Sequence, residues 1–303
     1  VQESQLHEHI YARSAGLTPG AGWRALVGPG DDGAVLATPG GETLILTVDQ
    51  LVEGRHYTPG TPLDLVARKA VARSVSDIAA MGGSPAWALA TGLLPKGFAH
   101  ADDLFDAMAR WAAHWNCPLV GGDIASHASP DHPLTLTVTV GGSVPTGHAP
   151  VLRSGAKPGD HLWLTGPVGG SLASNRHLTF EPRLEQGLLA SRDGSGVTAM
   201  IDLSDGVGRD ADRVARASGV VIEIDAHALP LHDGVADWRA GASDGEDYEL
   251  LLASTDRPDI PGLLGPIGRV RALAGDESPG AVFLDGPDSD AGRHPARDLG
   301  WDH

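Results

Sequence analysis

Leu and Val alternate with Thr along residues 134–140, a period of two that predicts a half-buried strand. Residues 43–48 form a second β-rich run, and it delivers Asp49 at its C-terminal end. Residues 87–93 and 119–120 read as further strands, the latter ending in Gly121-Gly122-Asp123. Between them the period changes. Leu104, Phe105, Met108, Trp111, Ala112 and Trp115 recur at helical spacing and predict an amphipathic helix over 102–115 whose stripe is core. Thr61-Pro62 reads as a helix start, with Thr61 as N-cap and Pro62 at the first helical position. That helix runs to Met81, where Gly82-Gly83 stops it, and it places Asp77 near its C-terminal end. A short helix is predicted over 5–17, with Leu6, Ile10 and Ala15 buried.

Residues 145–158 are rich in Gly, Pro and small side chains and mark the best domain boundary, giving units 1–146 and 147–303. Beyond it, 160–165, 199–203, 220–224 and 248–252 read as strands, and 210–218 as a helix ended by Gly219. The tail after Asp276 reads as loop apart from a short strand at 282–284. No internal repeat is evident.

With 303 residues and a hydrophobic fraction of 41%, the chain can build one large core or two ordinary ones. A net charge of −17 argues against nucleic acid or an anionic membrane as partner. It leaves ATP open, because bound Mg²⁺ reverses the local field. The single cysteine, Cys117, precludes an intramolecular disulfide and fits a reducing compartment such as the cytoplasm. Neither a transmembrane helix nor a signal peptide is expected.

Seven aspartates stand in short contexts bearing glycine or serine. They are Asp31 and Asp32 in Gly30-Asp31-Asp32-Gly33, Asp49, Asp77 after Ser76, Asp123, and Asp202 with Asp205 in Asp202-Leu203-Ser204-Asp205-Gly206. Any one of them alone reads as a turn or cap aspartate. Together they suggest a carboxylate cluster, and clustered carboxylates need cations. Hard oxygen ligands favour Mg²⁺, which with few protein ligands usually also holds a polyphosphate. No Walker-type phosphate loop and no protein-kinase motif set is present.

These residues, in this order, resemble the thiamine-monophosphate kinase family, within the superfamily that includes aminoimidazole ribonucleotide synthetase. The likeness is carried by Gly28-Pro29-Gly30-Asp31-Asp32-Gly33, Asp49 to Tyr57, Ser76-Asp77-Ile78-Ala79-Ala80-Met81-Gly82 and Gly121-Gly122-Asp123. In the second half it is carried by Arg153 to Asp160, Ile201 to Gly206, Gly245-Glu246-Asp247-Tyr248-Glu249-Leu250 and Gly300-Trp301-Asp302-His303. The resemblance implies an α/β (α+β) fold of two domains. The N-terminal domain would bind ATP and Mg²⁺ and pair sheets in a homodimer. The C-terminal domain would be aminoimidazole ribonucleotide synthetase-like. The reaction implied is transfer of the ATP γ-phosphoryl to thiamine monophosphate, without an assigned general base. Matched positions imply Asp32, Thr47, Val48 (through its carbonyl), Asp49, Asp77, Asp123, Asp202 and Asp205 for several Mg²⁺ ions. They imply Gly122, Asp123, Arg153 and Ser204 for ATP, and His56, Glu246 and Trp301 for the acceptor. Asp31 would brace its loop.

Several positions depart from the family pattern. Ile124-Ala125-Ser126-His127 follows Gly-Gly-Asp, Val48 replaces a hydroxyl residue, Gly170 stands in place of an aspartate, 171–188 is short, and Arg55 precedes His56. Two further readings are therefore carried: a superfamily enzyme with another acceptor, and a nucleotide-binding paralogue with little turnover.

Overall fold

In the computed structural model, which describes residues 3–14, 16, 18–286 and 292–301, the chain forms two mixed sheets flanked by helices. The first part comprises α1 (Glu3–Ser14), β1 (Arg24–Val27), β2 (Ala34–Ala37), β3 (Thr43–Val52), α2 (Leu63–Ala80), β4 (Ser84–Leu94), α3 (Ala101–His114), β5 (Leu119–Ser126) and β6 (Thr135–Ser143). Its six strands run in the order β1-β2-β3-β6-β4-β5, antiparallel except for the β4–β5 pair. The second part comprises β7 (His161–Leu164), α4 (Leu184–Ser191), β8 (Val197–Asp202), α5 (Val207–Ser218), β9 (Val221–Asp225), α6 (Trp238–Ser243), β10 (Leu250–Ser254), β11 (Leu264–Arg271), β12 (Gly280–Leu284) and β13 (Arg293–Pro295). Its seven strands run β13-β12-β9-β11-β7-β10-β8, with β12–β9 parallel.

Strand alternation decides which side chains meet the helices. Ile45 on β3 and Leu136, Val138 and Val140 on β6 point to one face, where they pack with Val66, Val71, Val75 and Ile78 of α2 and Leu104 and Met108 of α3. In the second part α5 buries Val207, Ala211 and Val214 against Ile222, Ile224 and Phe283. The opposite side of that sheet packs Trp163, Met200, Leu250 and Leu252 with Ala190 of α4 and Ala80 of α2.

Helix α2 thus lies between the two sheets, touching β3, β6 and α3 on one side and α4 and β8 on the other. Every residue from 66 to 76 is buried, including Arg68, Lys69, Arg73, Ser74 and Ser76. Charged groups on such a helix must find partners inside the protein.

Several expectations change. The cap residue of α2 is Pro62, and the Thr61 hydroxyl donates instead to the Thr58 carbonyl at 2.8 Å. Strands β3 and β5 continue past the expected ends, so Asp49 and Asp123 lie inside ladders. Leu6 and Ile10 are exposed on α1, and Ala15 falls outside the described residues. β1, β2 and β11 are strands that the pattern did not reveal, and 171–188 contains the start of α4. The tail adds β13, paired with β12. Asp302 and His303 lie outside the described residues. Among the described residues, no helix is long and apolar enough to cross a membrane.

Candidate active site

Three carboxylates from three separate stretches of chain converge. Asp32 comes from the loop before β2, Asp77 from the last turns of α2, and Asp202 from the C-terminal end of β8. One oxygen from each lies within 4.8 Å of the others. Burial, then the neighbouring charges of Asp49, Asp202 and Asp32, push the Asp77 carboxyl well above its ordinary range. Burial, then Asp32, does the same to Asp202. The Thr47 hydroxyl donates to the Asp77 carboxylate. Ser76 Oγ donates to Asp202 at 2.6 Å and ties α2 to the second sheet.

Asp49 lies beside this group on the α2-facing side of β3. Arg73 Nη2 sits 3.3 Å from its carboxylate, and Ser74 Oγ reaches it at 3.4 Å. Arg153 holds Asp32 through Nε at 3.2 Å and Nη2 at 2.5 Å. Its backbone N–H donates to Asp31, whose carboxylate also accepts the Asp32 N–H at 3.0 Å. Asp31 therefore braces the loop, and its pKa rises to about 6, chiefly through burial and then through Asp32. Two arginines do not balance this many carboxylates. Asp32 Oδ2 is buried without a hydrogen-bond partner. A clustered, oxygen-only donor set with an orphaned carboxylate oxygen fits a hard divalent cation such as Mg²⁺.

Asp205 and Ser204 follow β8 immediately. The Asp205 carboxylate pairs with Arg213, and its backbone N–H donates to Asp210 at 3.0 Å. The Ser204 carbonyl accepts the Glu246 N–H at 2.7 Å, and the Asp205 carbonyl accepts the Trp301 N–H at 2.9 Å. The Trp301 ring stands 5.9 Å from the Arg55 guanidinium. His56 is buried with Nδ1 accepting the Val52 N–H at 2.9 Å, which leaves the neutral ring's proton on Nε2 as a donor. Lys69 Nζ donates to the His56 carbonyl at 2.6 Å and to the Glu246 carboxylate. His56, Glu246 and Trp301, far apart in sequence, are thereby linked through Lys69, Ser204, Asp205 and Arg55.

Val48 and Asp123 point away from this cluster. Val48 is 62% exposed, its side chain on the face of β3 away from α2. Asp123 pairs in register with Thr91, so it also points to that outer face, whereas Asp49 is in line with Val138, Ala90 and Gly122. Three strand spacings, about 14 Å, separate Asp123 from Asp49 across the sheet. Gly122 has a local cause: a Cβ there would come 1.8 Å from the Ala90 carbonyl oxygen of β4.

Sequence reasoning missed Lys69, Arg73, Ser74 and Tyr248. Tyr248 is fully enclosed, stacks on Phe180 at 3.9 Å, and leaves its hydroxyl unpartnered. A cavity of about 590 Å³ between Arg192–Gly196 and Thr255–Ile260 contains none of these groups. Chemistry, not volume, locates the site.

Residues 30–144 match the family described as AIR synthase related protein, N-terminal domain. The chain is 38% identical over 258 residues to the thiamine-monophosphate kinase of Salmonella typhimurium, covering 74% of this chain and 75% of that one. It is 37% identical over 273 residues to that of Escherichia coli K12, covering 80% and 81%. Among solved structures, AaThiL complexed with AMPPCP and TMP superposes with a TM-score of 0.79 at 26% identity, covering 100% of this chain and 97% of that one.

Proposed function

The chain belongs to the thiamine-monophosphate kinase family, and on that premise we propose that it transfers the γ-phosphoryl group of ATP to thiamine monophosphate. The observation that carries this reading is the convergence of Asp32, Asp77 and Asp202 beside Arg153, where the two sheets meet across α2. A bond forms between an acceptor phosphate oxygen and the γ-phosphorus, the bridge to the β-phosphate breaks, and ADP leaves with thiamine diphosphate as product. The attacking oxygen is already ionised, so positioning and charge neutralisation carry the catalysis, and no general base is assigned.

We assign Asp32, Thr47, the Val48 carbonyl, Asp49, Asp77, Asp202 and Asp205 to Mg²⁺, in more than one ion, with Asp123 completing the set. What Mg²⁺ supplies when bound is neutralisation between two polyanions. Arg153, Ser204 and Gly122, with Asp123, are assigned to ATP. His56 would offer Nε2–H to the acceptor phosphate, and Trp301 and Glu246 would flank its rings. We retain the division into 1–146 and 147–303: the first sheet ends at Ser143 and the second begins at His161. We place the enzyme in the cytoplasm, a reducing compartment in keeping with its single free cysteine, Cys117.

We also assign a homodimer through the outer face of the first sheet. Val48 and Leu89 are exposed there, in line with each other across β6. An apolar sheet face of this kind favours a partner. It also explains Asp123, which would be offered to the site of the other protomer.

The test is thiamine diphosphate formation from ATP and thiamine monophosphate, with and without Mg²⁺. Product that depends on Mg²⁺ is expected. Mg²⁺-dependent ATP binding without product would move the reading to another acceptor or to a nucleotide-binding paralogue.

A further inference from the structure

Lys69 is a fully buried cation that the phosphoryl-transfer reading leaves unused. It rises from α2 between the two halves of the acceptor side. Its ammonium donates to the His56 carbonyl in the turn after β3 and to the Glu246 carboxylate in the loop before β10. Burial, opposed by Glu246, lowers its pKa to about 8, so the ion pair is largely intact at neutral pH.

The backbone of Glu246 is fixed independently. Its φ is +64°, in the left-handed region that disfavours a non-glycine residue. That conformation is held by the N–H donating to the Ser204 carbonyl at 2.7 Å and by Ser171 Oγ donating to the Glu246 carbonyl at 2.7 Å. Ser171 is in turn in contact with the buried His177, whose Nδ1 lies 3.2 Å from the Ser171 carbonyl. With the main chain pinned, what remains free is the aim of the Glu246 side chain, and the Lys69 ammonium sets it. The same ammonium sets the His56 turn. A buried carboxylate so paired cannot act as a free counter-charge for a cationic ring. It serves as an oriented hydrogen-bond acceptor.

We propose that Lys69 is a positioning residue for the acceptor: it holds His56 and Glu246, from opposite domains, at the spacing the phosphorylated substrate requires, and it has no part in holding ATP. The inference rests on the thiamine-monophosphate reading. Methionine at 69 keeps the length and removes the charge. Glutamine keeps a donor for the His56 carbonyl and removes the ion pair.

The experiment is steady-state kinetics of wild type, Lys69→Met and Lys69→Gln with each substrate varied in turn, and with folding checked by circular dichroism and melting. The expected result is a rise in KM for thiamine monophosphate of 10-fold or more in Lys69→Met, a smaller rise in Lys69→Gln, and a KM for ATP within about 2-fold of wild type. In Lys69→Met/Glu246→Gln the melting temperature recovers, because the uncompensated charge is gone, while the acceptor KM stays high. An unchanged acceptor KM in a folded variant, an equal rise in both KM values, or loss of folding in both single variants overturns the proposal and assigns Lys69 to the fold alone. A wild-type enzyme without activity on thiamine monophosphate overturns the function reading itself, and this inference with it.

Discussion

Asp77 is held against other carboxylates inside the protein, with burial and then Asp49, Asp202 and Asp32 raising its pKa. Asp77→Asn removes one repelling charge and keeps an acceptor for the Thr47 hydroxyl. Without divalent cation the variant should melt about 2–4 °C above wild type. Its turnover should fall by about 100-fold or more. Calorimetry and kinetics check the two halves, and a lower melting temperature would show that repulsion does not dominate there. Asp247 gives a pH prediction. Burial first raises its carboxyl to about 7, against the Gly169 N–H, which donates to it at 2.9 Å. The folded state therefore keeps a proton that the unfolded state releases near 4. Its stabilising contribution is whole below about 4 and is lost as pH rises through about 7. Asp247→Asn should gain stability relative to wild type between pH 5 and 8, by about 1 kcal/mol or more. Urea melts at both pH values read it, and an equal difference at both removes Asp247 as the titrating group. The aspartates themselves were legible, because short Gly/Ser contexts single them out. Lys69 and Arg73 were not: a helix read from its sequence turns such residues to solvent, and only tertiary packing encloses α2 on both sides.

Element boundaries were legible where a period or a stop signal was strong. α3 and α5 lie within a few residues of expectation, with Gly219 closing α5 at φ +67°. β1 is mostly exposed and only four residues long, so it carries no alternation, and β11 is interrupted by Gly265-Pro266. Strand partners, not local sequence, make both. The packing of α4 on α2 depends on one close approach. A Cβ on Gly187 would stand 2.1 Å from the Ala79 carbonyl oxygen, which is backbone and cannot rotate away. Gly187→Ala should therefore separate the helices and cost about 1–3 kcal/mol in chemical denaturation. Gly20→Ala, where an added methyl meets nothing within 4 Å, is the control and should be near neutral. A neutral Gly187→Ala would mean that the junction between the sheets is looser than this contact implies.

At the scale of the whole molecule, the faces of the first sheet were the part that sequence alone could not assign. Asp49 and Asp123 both end a strand in the linear reading, yet register turns them to opposite faces, because a shift of one residue inverts every side chain. If Asp123 serves the active site, the second copy is the source that this geometry leaves. The two-fold symmetry of a homodimer makes that testable. Asp49→Asn and Asp123→Asn should each form folded dimers without turnover. In a dimer carrying one of each, one site combines both changes and the other combines neither. Co-expression at equal levels gives about half mixed dimers, each with one working site of two, so about a quarter of wild-type activity should return. Were both aspartates to act within one protomer, each site of a mixed dimer would carry one lesion and no activity would return. Recovery, with a dimer mass by sedimentation, fixes the outer sheet face as part of the catalytic unit. A mixture that stays inactive, or a monomer in solution, withdraws Asp123 from the site.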